Sequence, residues 1–109
     1  MYKVLSNQKF DVKLVGNIGN PILEVKNVKK KTIFIIEASS YQLEYSKIFK
    51  SKYAVMLNLS PDHIERHGTL NKYVKAKFKL LKNQTSRGLA FVKKNDLLIE
   101  KEIKSNKFN

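Results

Sequence analysis

Apolar positions in this 109-residue chain fall into short runs separated by polar clusters. Two runs, Thr32–Ile36 and Tyr53–Leu57, are rich in β-branched, aromatic and aliphatic residues and alternate little. Such runs predict strands buried on both faces, as in a parallel sheet. Each run ends in polar residues. Glu37-Ala38-Ser39-Ser40 follows the first, and Asn58-Leu59-Ser60-Pro61-Asp62-His63 follows the second. Open α/β sheets hold ligands beyond the carboxyl ends of their strands. The two clusters therefore mark a candidate crevice.

The remaining elements follow from local pattern. Met1–Gln8 reads as a frayed helix end and Asp11–Val15 as a short strand. Gly16 and Gly19 bracket a tight turn, where positive φ suits glycine. Pro21–Val28 reads as a short amphipathic helix, with Asn20 as its N-cap and Lys29–Lys31 closing it. Ala38–Ser51 is ambiguous between a short helix and an irregular excursion. His63–Thr69 reads as a loop. Leu70–Lys82 is the clearest helix: Leu70, Tyr73, Val74, Phe78 and Leu81 share one face at helical period, while Lys72, Lys75, Lys79 and Lys82 take the other. Leu89–Val92 predicts a last strand. A polar end follows, expected to be disordered from Lys104. Strands alternating with helices predict an α/β fold with a parallel sheet in one small domain, residues 1–109.

Composition narrows the class of function. The chain has no Cys, which excludes disulfides and thiolate metal sites. No apolar run reaches the roughly 18 residues that span a bilayer, and the start has no signal-peptide core. A soluble, cytoplasmic, monomeric protein is expected, with no membrane partner. The net charge is +13. Nearly all of it comes from scattered Lys, and Arg66 and Arg87 are the only arginines. Bidentate base readout favours Arg, so a lysine-rich solvated surface is the expectation. A small basic nucleic-acid-binding protein is the alternative.

Several side chains invite a chemical reading beside a bland one. Lys77 lies in the middle of the apolar stripe of its helix. It either snorkels to water or faces a ligand crevice, where burial favours the neutral amine. A neutral amine can react with carbon dioxide to give a carbamate, an anion able to ligate a metal. Glu37 is either a metal- or phosphate-site carboxylate or a solvated strand end. His63 is either a turn residue or a ligand to a hard divalent ion such as magnesium or manganese. Ser39, Ser40 and Gln42 offer hydrogen bonds beside Glu37. A nucleophilic serine is not expected, because no nucleophile-elbow glycines and no adjacent base are evident. No phosphate loop of the G-x-x-x-x-G-K-S/T kind occurs in the chain.

Four stretches in this order resemble the central, ATP-binding domain of the Mur ligases. They are Gly16-Asn17-Ile18-Gly19 followed by Pro21; Glu37-Ala38-Ser39-Ser40-Tyr41-Gln42-Leu43-Glu44; Asn58-Leu59-Ser60-Pro61-Asp62-His63-Ile64-Glu65-Arg66-His67-Gly68; and Tyr73-Val74-Lys75-Ala76-Lys77. The resemblance spans Phe10 to Gln84 and implies a partial P-loop-type α/β domain. It implies ATP-dependent amide synthesis in peptidoglycan precursor formation. The branch it favours joins D-glutamate to UDP-N-acetylmuramoyl-L-alanine. There the substrate carboxylate takes the γ-phosphate of ATP to give an acyl phosphate, and the amine of D-glutamate displaces phosphate.

By the same resemblance Glu37 and His63 are magnesium ligands. Lys77 is carbamylated and helps to place magnesium, so that Lys77 and His63 serve catalysis. Asn17, Ser39 and Gln42 line the muramoyl-peptide substrate. Pro61 departs from an acidic residue in many relatives. Family members carry their phosphate loop upstream of the G-N-I-G segment, and the chain begins after that position. The expectation is a ligase fragment, lacking its first strand and phosphate loop and inactive alone.

Overall fold

The computed structural model describes residues 1–61 and 64–106. The chain forms two compact units, Met1–Ser39 and Ser40–Asn109, each taken by itself below.

The first unit is a parallel strand pair with a short helix before it. Helix α1 (Tyr2–Asn7) leads into β1 (Val12–Gly16), and β2 (Ile33–Glu37) pairs with it in parallel, from Val12 opposite Ile33 to Gly16 opposite Glu37. The entry to β2 is pinned by side-chain chemistry. Thr32 Oγ1 donates to Asp11 Oδ2 at 2.6 Å and accepts from the Lys29 amide at 2.8 Å, while the Ile33 amide donates to the Asp11 carbonyl at 2.8 Å. These bonds fix the register before the first ladder pair forms. Val15 is fully buried.

The helix expected over Pro21–Val28 is absent. A single 3-10 turn, Ile22–Glu24, takes its place, and Leu23 is 96% exposed. An eight-residue segment cannot offset the cost of helix nucleation alone, and Val25 and Val28 weaken helix propensity further. With no surface to receive the apolar face, the helix has no source of stability.

The second unit contains α2 (Ser40–Tyr45), β3 (Tyr53–Met56), α3 (Ile64–His67), α4 (Leu70–Lys82), β4 (Leu89–Val92) and α5 (Leu97–Ser105). Strands β3 and β4 pair in parallel, Tyr53 opposite Leu89 through Met56 opposite Val92. Helix α4 runs over the residues expected. Thr69 caps it from extended backbone, its side chain accepting from the Lys72 amide at 3.2 Å. The core joins Ala54, Met56 and Leu59 to Tyr73, Val74, Phe78 and Leu81 of α4 and to Ile99 of α5. Ala76 is buried as well, although it lay outside the expected stripe, whereas Leu70 is exposed.

Several expectations change here. The single parallel sheet is two separate two-stranded parallel sheets among the described residues. Strand β3 is not buried on both faces: Ala54 and Met56 point inward, while Tyr53 and Val55 are exposed. One face of the pair carries the core; Leu89 and Phe91 share the open face with Tyr53 and Val55. Part of the expected loop at His63–Thr69 is the helical turn α3. The end of the chain orders further than its polarity suggests. Asp96 caps α5, accepting from Leu98 and Ile99 amides at 3.2 Å each, and the helix runs through Ser105. Residues 107–109 lie outside the described residues. No described helix is long and apolar enough to cross a membrane.

Among the described residues Phe78 is the largest fully buried side chain. Phe78→Ala should destabilise the second unit by about 3–5 kcal/mol. Leu23→Ala, at an exposed turn, should change stability by less than about 0.5 kcal/mol. Urea unfolding of the two variants checks both.

Candidate functional site

In the first unit the ends of both strands are built around one close approach. Gly16 has φ of 104°, and a Cβ placed there would lie 2.3 Å from the Glu37 carbonyl oxygen. Only glycine supplies both the positive φ and the missing atom. The chain then turns sharply. The Gly16 amide donates to the Asn20 carbonyl at 3.2 Å, and the Asn17 amide donates to the Glu37 carbonyl at 2.8 Å. The result brings two of the expected site residues together. Asn17 and Glu37 are both exposed at the carboxyl ends of neighbouring strands. Ser39, half-buried, follows two residues later and is itself partnered.

In the second unit Gln42 is exposed on α2, and it too is partnered. Lys77 is half-buried on α4, with Nζ 5.6 Å from the centre of the Tyr73 ring. Its position beside the Tyr73 ring is compatible with either the snorkelling or the crevice-facing expectation. The companion expectation, that the other lysines of α4 point away, fails at Lys79. Its Nζ donates to the Glu44 carbonyl at the end of α2, where a cation meets carbonyls left free by the helix.

The loop after β3 is tied from two sides. The buried Tyr73 hydroxyl donates to the Ser60 carbonyl at 2.7 Å, and Asp96 Oδ2 accepts from the Leu59 amide at 3.2 Å. That loop leads to Asp62 and His63, which lie outside the described residues. Among the described residues no group of three His, Cys, Asp or Glu side chains could hold a metal ion. The expected metal set of Glu37, His63 and Lys77 thus spans both units and one undescribed residue.

Sequence reasoning missed a buried polar side chain that joins three helices. His67, 4% exposed, ends α3. Its Nε2 lies 2.9 Å from Ser40 Oγ, and its Nδ1 lies 3.5 Å from Glu44 Oε2. The second distance brings the two groups together as a facing pair, yet Nδ1 makes no hydrogen bond. The ring stacks on Tyr41 with centres 5.3 Å apart and meets Tyr73 edge-on at 5.6 Å. The guanidinium of Arg66 sits 4.3 Å from the Tyr41 ring centre. Ser40 does have a base beside it, contrary to expectation. It is only 3% exposed, so an acyl donor has no access and the nucleophile reading still fails. The available signal was the position of His67 within the Asp62–Gly68 stretch, but a histidine in a turn carries no periodicity to mark it as buried.

Exposed polar groups at the ends of parallel strands lie where α/β domains place ligands. Comparison with known families makes the class specific. The Mur ligase middle domain matches residues 1–109, and the chain belongs to the Mur ligase family. Its relatives include proteins named UDP-N-acetylmuramoylalanine–D-glutamate ligase. The one from Elusimicrobium minutum is 44% identical over 107 residues, covering 93% of this chain and 24% of the relative. That of Natranaerobius thermophilus is 36% identical over 104 residues, covering 92% and 23%. That of Caldicellulosiruptor bescii is 41% identical over 87 residues, covering 79% and 19%. The chain spans about a quarter or less of the length of these relatives. They lend no support to the nucleic-acid alternative.

Gly16→Ala tests the strand-end geometry. The added methyl meets backbone rather than a movable side chain, and the φ penalty adds to the clash. Strain of this kind costs about 1–3 kcal/mol for the backbone conformation alone. The variant should lose the Asn17–Glu37 bond first, seen as faster hydrogen exchange at the Asn17 amide than in α4.

Proposed function

We propose that this chain supplies the middle-domain part of an ATP-dependent ligase that joins D-glutamate to UDP-N-acetylmuramoyl-L-alanine in peptidoglycan precursor synthesis. The observation that supports it best is the exposed Asn17–Glu37 pair at the strand ends of a chain matched throughout by the Mur ligase middle domain. On this reading Asn17, Ser39 and Gln42 hold the muramoyl-peptide, with amide and hydroxyl groups suited to a polar, anionic substrate. Their role is orientation: a bound carboxylate held in line with a phosphoryl donor reacts without the entropy cost of encounter.

Glu37, His63 and Lys77 would hold magnesium, and carboxylate, imidazole and carbamate oxygen suit a hard divalent ion. When bound, the ion offsets negative charge on ATP phosphates. Lys77 has the half-buried stem this role needs. In the unmodified chain its Nζ lies 5.6 Å from the centre of the Tyr73 ring. Adding carbon dioxide to the neutral amine releases one proton and leaves a carbamate anion in its place. The 109 residues contain no G-x-x-x-x-G-K-S/T sequence, and on this reading the segment by itself does not turn over ATP. The parent activity is cytoplasmic and monomeric on this reading.

A segment exchange tests it. The 109 residues replace the matching segment of the Elusimicrobium minutum ligase, and phosphate release is followed with ATP, UDP-N-acetylmuramoyl-L-alanine and D-glutamate. Turnover that requires D-glutamate is expected. Glu37→Ala, His63→Ala and Lys77→Met should each lower it by more than about 100-fold, beyond the loss typical of an outer-shell partner. A folded, inactive exchange protein, or one indifferent to all three changes, would overturn the proposal.

A further inference from the structure

We propose that Ser40, His67 and Glu44 form a relay of polar contacts, buried at Ser40 and His67, that makes His67 a positioning residue for α2, the helix that carries Gln42. The link to substrate rests on the function proposed above; the relay itself does not.

Helix α2 has six residues, too few to be stable on propensity alone. Its placement must come from what it touches. Three of its side chains converge on a single ring: Ser40 at Nε2, Glu44 at Nδ1 and Tyr41 against the ring face. His67 comes from α3, and Tyr73 of α4 meets the ring edge-on. One imidazole therefore joins three helices.

The chemistry of the partners favours one arrangement of the ring. Nδ1 lies 3.5 Å from Glu44 without a hydrogen bond, and an ionised carboxylate can only accept one. A proton on Nδ1 would let that contact close into a hydrogen bond and leave Nε2 to accept from the Ser40 hydroxyl. The sequence hydroxyl, imidazole, carboxylate is familiar from hydrolases, where it activates a nucleophile. Here the hydroxyl is buried, so its use is to hold the first residue of α2 in place. The approach of Nδ1 to Glu44 at 3.5 Å leaves room to shorten, as catalytic contacts do when a substrate is bound. Substrate drawn against Gln42 would tighten the same helix that carries Glu44.

The test uses the full 109-residue chain and needs no substrate, so its outcome is separate from that of the segment exchange. Long-range proton–nitrogen correlation of the His67 ring at pH 8 should show a neutral ring protonated at Nδ1, with Nε2 bare. A ring protonated at Nε2 would overturn the relay. His67→Phe keeps the stacked ring and removes both polar contacts. It should speed amide exchange at residues 44–46 by at least about 10-fold, with α5 changed less than about 3-fold. His67→Gln, which restores one polar group, should recover part of that protection. Should His67→Phe fail to fold, Ser40→Ala removes only the hydroxyl and should give the same local acceleration. Exchange that is unchanged in α2, or that rises equally throughout the unit, would mean that packing alone holds the helix.

Discussion

The second unit depends on one constraint: α4 must bury its apolar stripe against a strand pair that offers only one closed face. Phe78, Tyr73, Val74 and Leu81 meet Ala54 and Met56 there. Thirteen residues of helix would be marginal without that contact. Once α4 is seated, its other positions acquire partners. Tyr73 reaches the loop after β3, Lys79 reaches the end of α2, and Lys77, half-buried, lies beside the Tyr73 ring. The polar network is thus a consequence of the apolar one.

Elements with strong periodicity were legible in the sequence. Helix α4 and strand β4 lie where the pattern puts them, and β1 and β2 differ from expectation by a residue at most. Elements that rely on tertiary contact were not. The stretch Pro21–Val28 has an amphipathic pattern but nothing to pack on, and it makes one 3-10 turn. Helix α5 was hidden by its polar end, although Asp96 marks its start with a side chain that serves the Leu59 loop as well. The run at β3 looked doubly buried because apolar residues fill both faces, yet burial depends on what covers each face and not on composition.

The site divides in the same way. Glu37 stands out in the sequence as a carboxylate at a strand end, Asn17 enters only through the resemblance, and the structure joins the two through a backbone bond. Lys77 was legible from helix phase. His67 was not, because its environment is assembled from three helices whose packing no local pattern encodes. Its presence changes how the Ser40–Glu44 segment is understood. Ser40 and Glu44 bracket the residue proposed to touch substrate, and both face the same imidazole. Recognition on this account is set by a scaffold of buried polar contacts behind an exposed amide.

The central claim is that Glu37, His63 and Lys77 answer to one divalent ion. Manganese can stand in for magnesium, and its unpaired electrons broaden nearby nuclear resonances. Titrating manganese into the nitrogen-15-labelled chain in bicarbonate buffer reads all three positions at once. The account predicts that amides at Asn17, Glu37, His63 and Lys77 broaden together at the same low manganese concentration, ahead of other acidic positions such as Glu100 and Glu102. Broadening at Glu37 that leaves His63 and Lys77 sharp would contradict it.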